Sequence, residues 1–111
     1  MVIQTQQSGA VTVVKPSGPV AQADAQDLRN ELLKAQKEHL GRIVLDVSDV
    51  PFLDSGGLEA LVEVAEEMSR SGQWLKLCAV NQTVRQILEL TGLACQFEHF
   101  EDANSAVRSF L

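Results

Sequence analysis

The amino-acid sequence predicts an α/β fold, in which a mostly parallel, mixed sheet of about five strands is flanked by about four helices. Short β-branched runs alternate with amphipathic segments along the whole chain, which is the pattern of successive βαβ units. The length of 111 residues suits one domain, residues 1–111, with a core of its own. Hydrophobic residues make up 45% and charged residues 22%, a globular balance that excludes a disordered or collagen-like chain.

The first half of the chain begins with strand signals and continues into a helix. The β-branched run at 10–14 predicts a strand, and the Ser8-Gly9 pair before it favours a hairpin with the preceding segment. Proline and glycine cluster over Lys15–Pro19, which predicts a turn or loop. Over residues 24–40, apolar side chains recur every three or four positions, so we expect an amphipathic helix there that the following glycine ends.

The second half of the chain alternates strands and helices more regularly. Ile43–Val47 is an almost continuous apolar run, as in a strand that is buried on both faces of its sheet. A helix is expected from Ser55 or Gly56 to Arg70, and Trp74–Val80 predicts the next strand. The remaining expected elements are a helix that residues 81–83 open, with Thr83 and Gln86 in a capping box, an edge strand at Gln96–Phe100, and a helix from Asp102 through Phe110.

The turn Pro51-Phe52-Leu53-Asp54-Ser55-Gly56-Gly57-Leu58 is the most unusual stretch of the chain. Asp54 or Ser55 stands where a helix N-cap belongs. Two glycines then fall in the first helical turn, where each costs about 1 kcal/mol relative to alanine. Glycine at these positions removes side chains around Ser55 and lets another backbone approach closely.

Two interpretations of Ser55 follow from the residues alone. In the first, Asp54 and Ser55 only cap the helix. In the second, Ser55 is presented to a kinase at an exposed strand-to-helix turn, where a phosphate would add about −1.5 to −2 charges beside Asp54 and repel a partner. Because the helix N-terminus would partly stabilise that phosphate, modification would switch the surface without unfolding it.

The sequence offers little for catalysis or metal binding. Asp-Ser-Gly-Gly also surrounds the nucleophile of trypsin-like serine proteases, but Leu53 replaces the glycine of that motif, and neither His39 nor His99 comes with an orienting acid. Cys78 and Cys95 form no Cys-x-x-Cys pair, and Cys78, inside an expected strand, is typical of a core residue. The chain has no phosphate-binding glycine loop. We therefore expect no catalytic activity, no metal and no cofactor.

Charge and targeting signals narrow the range of partners. Nine Lys and Arg against 15 Asp and Glu give a net charge of −6, which disfavours direct binding to nucleic acid or to an anionic membrane surface. The first residues lack the basic and apolar regions of a signal peptide, and no apolar stretch is long enough to span a bilayer. Since the two cysteines suggest no disulfide scaffold, a cytoplasmic protein with reduced thiols is expected.

Together these features resemble the STAS domain, the family of bacterial anti-sigma factor antagonists and of the cytoplasmic domains of sulfate transporters. The resemblance rests on the order β-β-α-β-α-β-α-β-α, on the apolar run at 43–47, on the turn at 52–58, and on Val84–Leu93 with its closing Leu-Thr-Gly-Leu. It covers nearly the whole chain, and it implies a single STAS-like domain.

The resemblance also implies a regulatory protein that switches partners. In the antagonists, the serine directly after the turn's aspartate is phosphorylated by an anti-sigma factor that is also a serine kinase. The unphosphorylated antagonist binds that kinase and frees the sigma factor, and a phosphatase resets the system. Ser55 is the matching serine in this chain, and the implied partner-binding residues are Asp54, Ser55, Gly56, Gly57 and Glu59. The glutamates of the helix that follows favour a basic partner surface, and the oligomeric state stays open.

One loop departs from the family pattern and keeps a second hypothesis open. Antagonists tend to carry acids in the loop that corresponds to Gly18-Pro19-Val20-Ala21, where this chain has Pro19 and Ala21. Relatives without those acids serve as scaffolds or as accessory subunits of lipid-transport ATP-binding-cassette complexes. The alternative is therefore a constitutive, non-phosphorylated interaction subunit, in which Ser55 is only a helix cap.

Overall fold

The computed structural model describes residues 1–21 and 23–111, and it confirms the predicted α/β fold. The elements are β1 (Val2–Ser8), β2 (Val11–Ser17), α1 (Ala23–Glu38), β3 (Ile43–Asp46), α2 (Ser55–Ser69), β4 (Lys76–Cys78), α3 (Gln82–Leu90), a 3-10 helix (Ala94–Gln96), β5 (Glu98–Phe100) and α4 (Ala103–Arg108). The five strands form one sheet in the order β1-β2-β3-β4-β5. The first pair is an antiparallel hairpin, and the other three pairs are parallel.

The helices divide unequally between the two faces of the sheet. Every parallel crossover steps in the same direction, and such crossovers are right-handed, so α1, α2 and α3 lie on one face. The larger core cluster lies there and includes Leu28, Leu61 and Leu88, one from each helix. On the other face, Ala106 of α4 packs in a smaller cluster that includes Cys78. The strand β3 is therefore buried on both faces, as its apolar run predicts.

The hairpin is confirmed, but β2 is longer than expected. Gly9 turns between the two strands with φ +63°, a left-handed conformation that glycine adopts without steric cost. The predicted loop at Lys15–Pro19 was wrong in its first half, because β2 continues to Ser17 and Pro16 lies opposite Ile3. The parallel pairing with β3 ends at Val14, so the missing N–H of Pro16 interrupts no hydrogen bond on that side.

The last two strands are shorter than predicted. β4 spans only Lys76–Cys78, and the side chain of Trp74 is 54% exposed outside the sheet. β5 spans Glu98–Phe100, because the preceding residues form the 3-10 helix. Each of these strands makes only three rungs with its neighbour, which ends the regular sheet before the apolar pattern of the sequence ends.

The start of α3 also differs from the predicted capping box. The N-cap is Asn81, whose Oδ1 accepts a hydrogen bond from the N–H of Val84 at 2.8 Å. Thr83 is consequently the second residue of the helix. Asparagine is the stronger capping residue of the two, and Asn81 also donates its Nδ2 to the carbonyl of Val50 at 2.8 Å.

Within residues 1–21 and 23–111, no helix is both long and apolar enough to cross a membrane. Cys78 lies in the core, as predicted. Burial, together with the charges of Asp46 and Asp102, raises the pKa of its thiol to about 12. Cys95 is exposed.

Candidate functional site

Ser55 is the first residue of α2 and is exposed to solvent. The residue before it, Asp54, is the N-cap: its Oδ1 accepts from the N–H of Gly57 at 2.7 Å, and its carbonyl accepts from the N–H of Leu58 at 2.9 Å. Of the two capping candidates that the sequence offers, the structure therefore assigns the cap to Asp54. The hypothesis that Ser55 serves only as a helix cap is wrong on this point.

The loop between β2 and α1 packs against this turn through the backbone of Val20. The N–H of Val20 donates to the carbonyl of Phe52 at 3.1 Å, and the N–H of Asp54 donates to the carbonyl of Val20 at 3.2 Å. These bonds hold Val20 as an isolated parallel bridge beside Leu53. The segment Gly18–Ala21, which carries the departure from the family pattern, is therefore joined directly to the turn that presents Ser55.

The contact between the Ser55 turn and the backbone of Val20 requires glycine at only one of the two glycine positions. A Cβ atom on Gly57 would lie 2.2 Å from the carbonyl oxygen of Val20, far inside van der Waals distance. A Cβ atom on Gly56 would meet only Oδ1 of Asp54, at 3.4 Å. The close backbone approach that the sequence predicts is thus made at Gly57, while Gly56 leaves open space beside Ser55.

The five predicted partner-binding residues lie together but are not equally accessible. Ser55, Gly56 and Glu59 are exposed, Asp54 is half-buried, and Gly57 is buried against Val20. Gly57 can therefore act only by shaping the turn. Sequence reasoning assigned no role to Phe52, whose ring is 45% exposed two residues before the cap. A large apolar side chain inside a turn is the signal that could have indicated it.

A groove of about 390 Å³ runs along α2 from Ser55, and we call it the α2 groove. Its lining residues are Ser55, Leu58, Glu59, Val62, Glu63, Glu66 and Leu93. Arg29 of α1 forms an ion pair with Glu63. Among the residues that the structure describes, no cation forms an ion pair with Glu59 or Glu66, so the rim of this groove carries acidic charge beside an apolar floor.

The contribution of Leu93 to the α2 groove, like the link from Asn81 to Val50, is a long-range contact that the sequence did not indicate. None of the described residues that line the groove is a histidine or a cysteine. His99 is exposed on β5, with Nε2 2.7 Å from the carbonyl of Ala94. Within the described residues, no group of three or more potential metal ligands is arranged to hold an ion. The arrangement can present a hydroxyl for modification and a surface for binding.

Comparison with known proteins gives one family by sequence and the same fold by structure. The family model of the STAS domain matches residues 2–106. By sequence, the chain is 28% identical over 93 residues to BtrV of Bordetella bronchiseptica, a candidate anti-sigma factor antagonist, covering 84% of this chain and 80% of BtrV.

Two solved structures have the same fold. One is a candidate anti-sigma factor antagonist of Thermotoga maritima, with a TM-score of 0.86, 22% identity, and coverage of 96% of this chain and 92% of that one. The other is the Bacillus cell fate determinant SpoIIAA in its phosphorylated form, with a TM-score of 0.73, 16% identity, and coverage of 99% and 100%. At these identities, the structural likeness shows the fold.

Proposed function

The chain belongs to the STAS domain family, and we propose that it works as an anti-sigma factor antagonist whose binding is switched by phosphorylation of Ser55. The partner would be an anti-sigma factor that is also a serine kinase, and a phosphatase would reverse the modification. The observation that carries the proposal is the exposed hydroxyl of Ser55 at the start of a capped helix. The protein would act in the cytoplasm and have no catalytic activity or cofactor of its own.

The surroundings of Ser55 suit access by a kinase. The backbone on both sides of the serine is held by the Asp54 cap and by the hydrogen bonds to Val20, so the hydroxyl is presented from a fixed position. Gly56 has no side chain to obstruct an enzyme that approaches from the solvent side. Because the turn is already rigid and Gly56 has no side chain, less conformational entropy is lost when Ser55 enters the active site of a kinase.

A phosphate at Ser55 would change the charge of this surface more than the shape of the turn. It would add about −1.5 to −2 charges next to the carboxylate of Asp54 and close to the acidic rim of the α2 groove. The N-terminus of α2 favours negative charge, so the fold would tolerate the group. A partner that docks on the neutral serine would have to desolvate this charge and would lose its close contact with the hydroxyl.

The same surface suggests the character of the partner. Glu59 and Glu66 are exposed on the rim, while Leu58 and Val62 contribute to the floor of the groove. A partner surface with an apolar ridge flanked by Lys or Arg would complement both features. The name of BtrV and the solved phosphorylated form of SpoIIAA support this proposal by analogy.

The first experiment is intact-mass spectrometry after incubation with ATP and the anti-sigma factor kinase encoded nearest to this chain. We expect one phosphate on the parent chain and none on Ser55→Ala. Ser48→Ala is the matched control, because Ser48 is an exposed serine in the segment that leads to α2. Phosphate on the control but not on Ser55→Ala would support the proposal, while phosphate on both variants would contradict it.

Binding to the same kinase then separates the switch from its alternative. Ser55→Asp should lose at least about tenfold in affinity, since the partner would have to bury a charge where it packs on a neutral hydroxyl in the parent. Titration calorimetry of the parent, Ser55→Asp and Ser55→Ala measures this, with Ser55→Ala expected to bind like the parent. An unchanged affinity for Ser55→Asp would overturn the switch.

A constitutive interaction subunit is the second candidate, and the loop at Val20 favours it. That loop is bonded to the Ser55 turn, yet it presents Pro19 and Ala21 where the family's antagonists tend to carry acids. Under this alternative, no kinase modifies Ser55, and Ser55→Asp binds the partner as the parent does. An accessory subunit of a transport complex would fit that pair of results.

A further inference from the structure

The two edges of the sheet differ in length and in charge. β5 is three residues long, and its Glu98 pairs with Lys76 at 2.9 Å. β1 is seven residues long, exposed at six of them, and contains no charged residue and no proline. Proteins usually protect a sheet edge with charge, proline or a short strand. The β1 edge has none of these protections.

The hydrogen bonding of β2 shows which backbone groups of β1 point outward. The N–H of Thr12 donates to the carbonyl of Arg42 at 2.9 Å, on the β3 side of β2 and away from β1. Thr12 lies opposite Gln7, so these two residues form a non-hydrogen-bonded pair of the antiparallel ladder. The N–H and the carbonyl of Gln7 must therefore point away from β2, toward the open edge.

The same alternation fixes the rest of the strand. Non-hydrogen-bonded pairs recur every second residue, so Thr5 and Ile3 also direct their N–H and carbonyl groups outward. Pro16 agrees with this assignment, because it lies opposite Ile3 and has no N–H to donate to β1. The open edge thus offers the peptide groups of Ile3, Thr5 and Gln7.

These three positions are symmetric about Thr5. If a second copy approached antiparallel with its Thr5 opposite Thr5, Ile3 of each chain would lie opposite Gln7 of the other. Each pair would exchange two N–H···O=C bonds, about six in all, and would leave no outward group of the strand unused. A second copy is therefore a sufficient partner for this edge, and the two-fold axis at Thr5 makes both chains contribute the same groups.

The side chains agree with that register. The pairs would be Thr5 with Thr5 and Ile3 with Gln7 on one face, and Gln4 with Gln6 and Val2 with Ser8 on the other. No like charges meet along the strand, although each chain carries a net charge of −6. Such cross-strand pairs each contribute about 0.2–1 kcal/mol.

We propose that two copies of this chain associate through β1, antiparallel and two-fold about Thr5, to form one sheet that continues across both copies. One strand per chain makes a small interface, so the association is concentration-dependent. Salt strengthens it, because screening weakens the repulsion between two acidic chains while the interface itself contains no ion pair. The proposal is independent of the role of Ser55.

The first test is the mass in solution, measured by sedimentation equilibrium over a range of protein concentrations. The parent should rise from the mass of one chain, 12.1 kDa, toward twice that value. Thr5→Pro replaces an outward N–H by the proline ring without removing a hydrogen bond to β2, and it should stay at the mass of one chain. The control Thr5→Val keeps that N–H and should associate like the parent. A parent that remains at 12.1 kDa throughout, or a Thr5→Pro variant that associates equally well, would overturn the proposal.

Amide hydrogen exchange on the parent chain tests the register without any substitution. The amides of Ile3, Thr5 and Gln7 should become protected as concentration rises, while those of Gln4 and Gln6 are protected by β2 at every concentration. If the parent associates but these three amides still exchange freely, the β1 interface is excluded. This measurement decides the matter even if Thr5→Pro fails to fold, which circular dichroism would show.

Discussion

The helices α2 and α3 begin in nearly the same way, yet only α2 presents a bare, exposed turn. Each follows a parallel strand, and each is capped by the side chain of the preceding residue. Asp54 accepts from the N–H of Gly57 at 2.7 Å, and Asn81 accepts from the N–H of Val84 at 2.8 Å. The cap is therefore common to both helices, and it cannot be what distinguishes the candidate site.

The two helix starts differ in the long-range hydrogen bond that links each of them to the rest of the fold, which we call its tie. At α3, the tie is a side chain, because Nδ2 of Asn81 donates to the carbonyl of Val50. At α2, the tie is backbone to backbone, and it requires the missing side chain of Gly57. The two glycines in the first turn lower the helix propensity of α2. In return, Gly57 allows the close contact with Val20, and Gly56 leaves Ser55 accessible.

The largest expected effect comes from filling the contact at α2. Gly57→Ala should destabilise the protein by about 2–3 kcal/mol, because the new methyl group would overlap the carbonyl oxygen of Val20 and the turn must move. Gly56→Ala is the matched control and should be neutral or up to about 1 kcal/mol stabilising, since alanine favours the helix and no backbone obstructs it. Urea unfolding of both variants measures the difference, and equal midpoints would contradict the close contact.

A smaller effect is expected from removing the tie at α3. Asn81→Ala should cost about 2 kcal/mol, because it removes both the cap of α3 and the hydrogen bond to Val50. Asn81→Ser keeps a capping oxygen and loses the amide donor without placing a second acceptor against Val50, so roughly half of that cost is expected. If Asn81→Ser unfolds at the same urea concentration as the parent, the hydrogen bond to Val50 contributes nothing to stability.

The smallest expected effect concerns the contribution of a cap's charge to stability. It can be measured at α4, which is also capped by an aspartate. Asp102 caps α4, and the hydrogen bonds it accepts from Ser105, with the nearby charge of Arg108, lower the pKa of its carboxyl group. A carboxyl group whose pKa is lower in the folded state than in the unfolded state stabilises the fold at any pH above the unfolded pKa of about 3.9. This stabilisation is lost as the pH falls through the folded pKa.

Asp102→Asn keeps the capping oxygen but cannot titrate. We expect its thermal midpoint to fall less than that of the parent between neutral and acidic pH. Glu101→Gln removes one carboxylate charge one residue earlier without touching the cap, and it is the control for the change in net charge. Parallel acid profiles for the parent and Asp102→Asn would show that the cap acts through geometry alone.

Local signals allowed the order of elements and the position of the Ser55 turn to be predicted from the sequence. Strand β3 is predicted from its continuous apolar run, and helix α2 from its apolar periodicity and the capping residue Asp54. These signals lie within or directly beside the elements that they predict. The docking of Val20 on Gly57 could not be predicted in the same way, because these residues are far apart in sequence. The misplaced α3 cap is different, because Asn81 is locally the stronger capping residue and only its bond to Val50 is a tertiary contact.

The order of the strands has a consequence for how the chain is synthesised. Because β1, β2, β3, β4 and β5 are adjacent in the sheet in the order in which they leave the ribosome, no later strand has to insert between two earlier ones. The sheet can grow from one side as translation proceeds, each new strand adding to the edge that the previous one left. Pairing between sequence neighbours also means that each strand closes only the loop to the strand before it, which limits the entropy cost of each step.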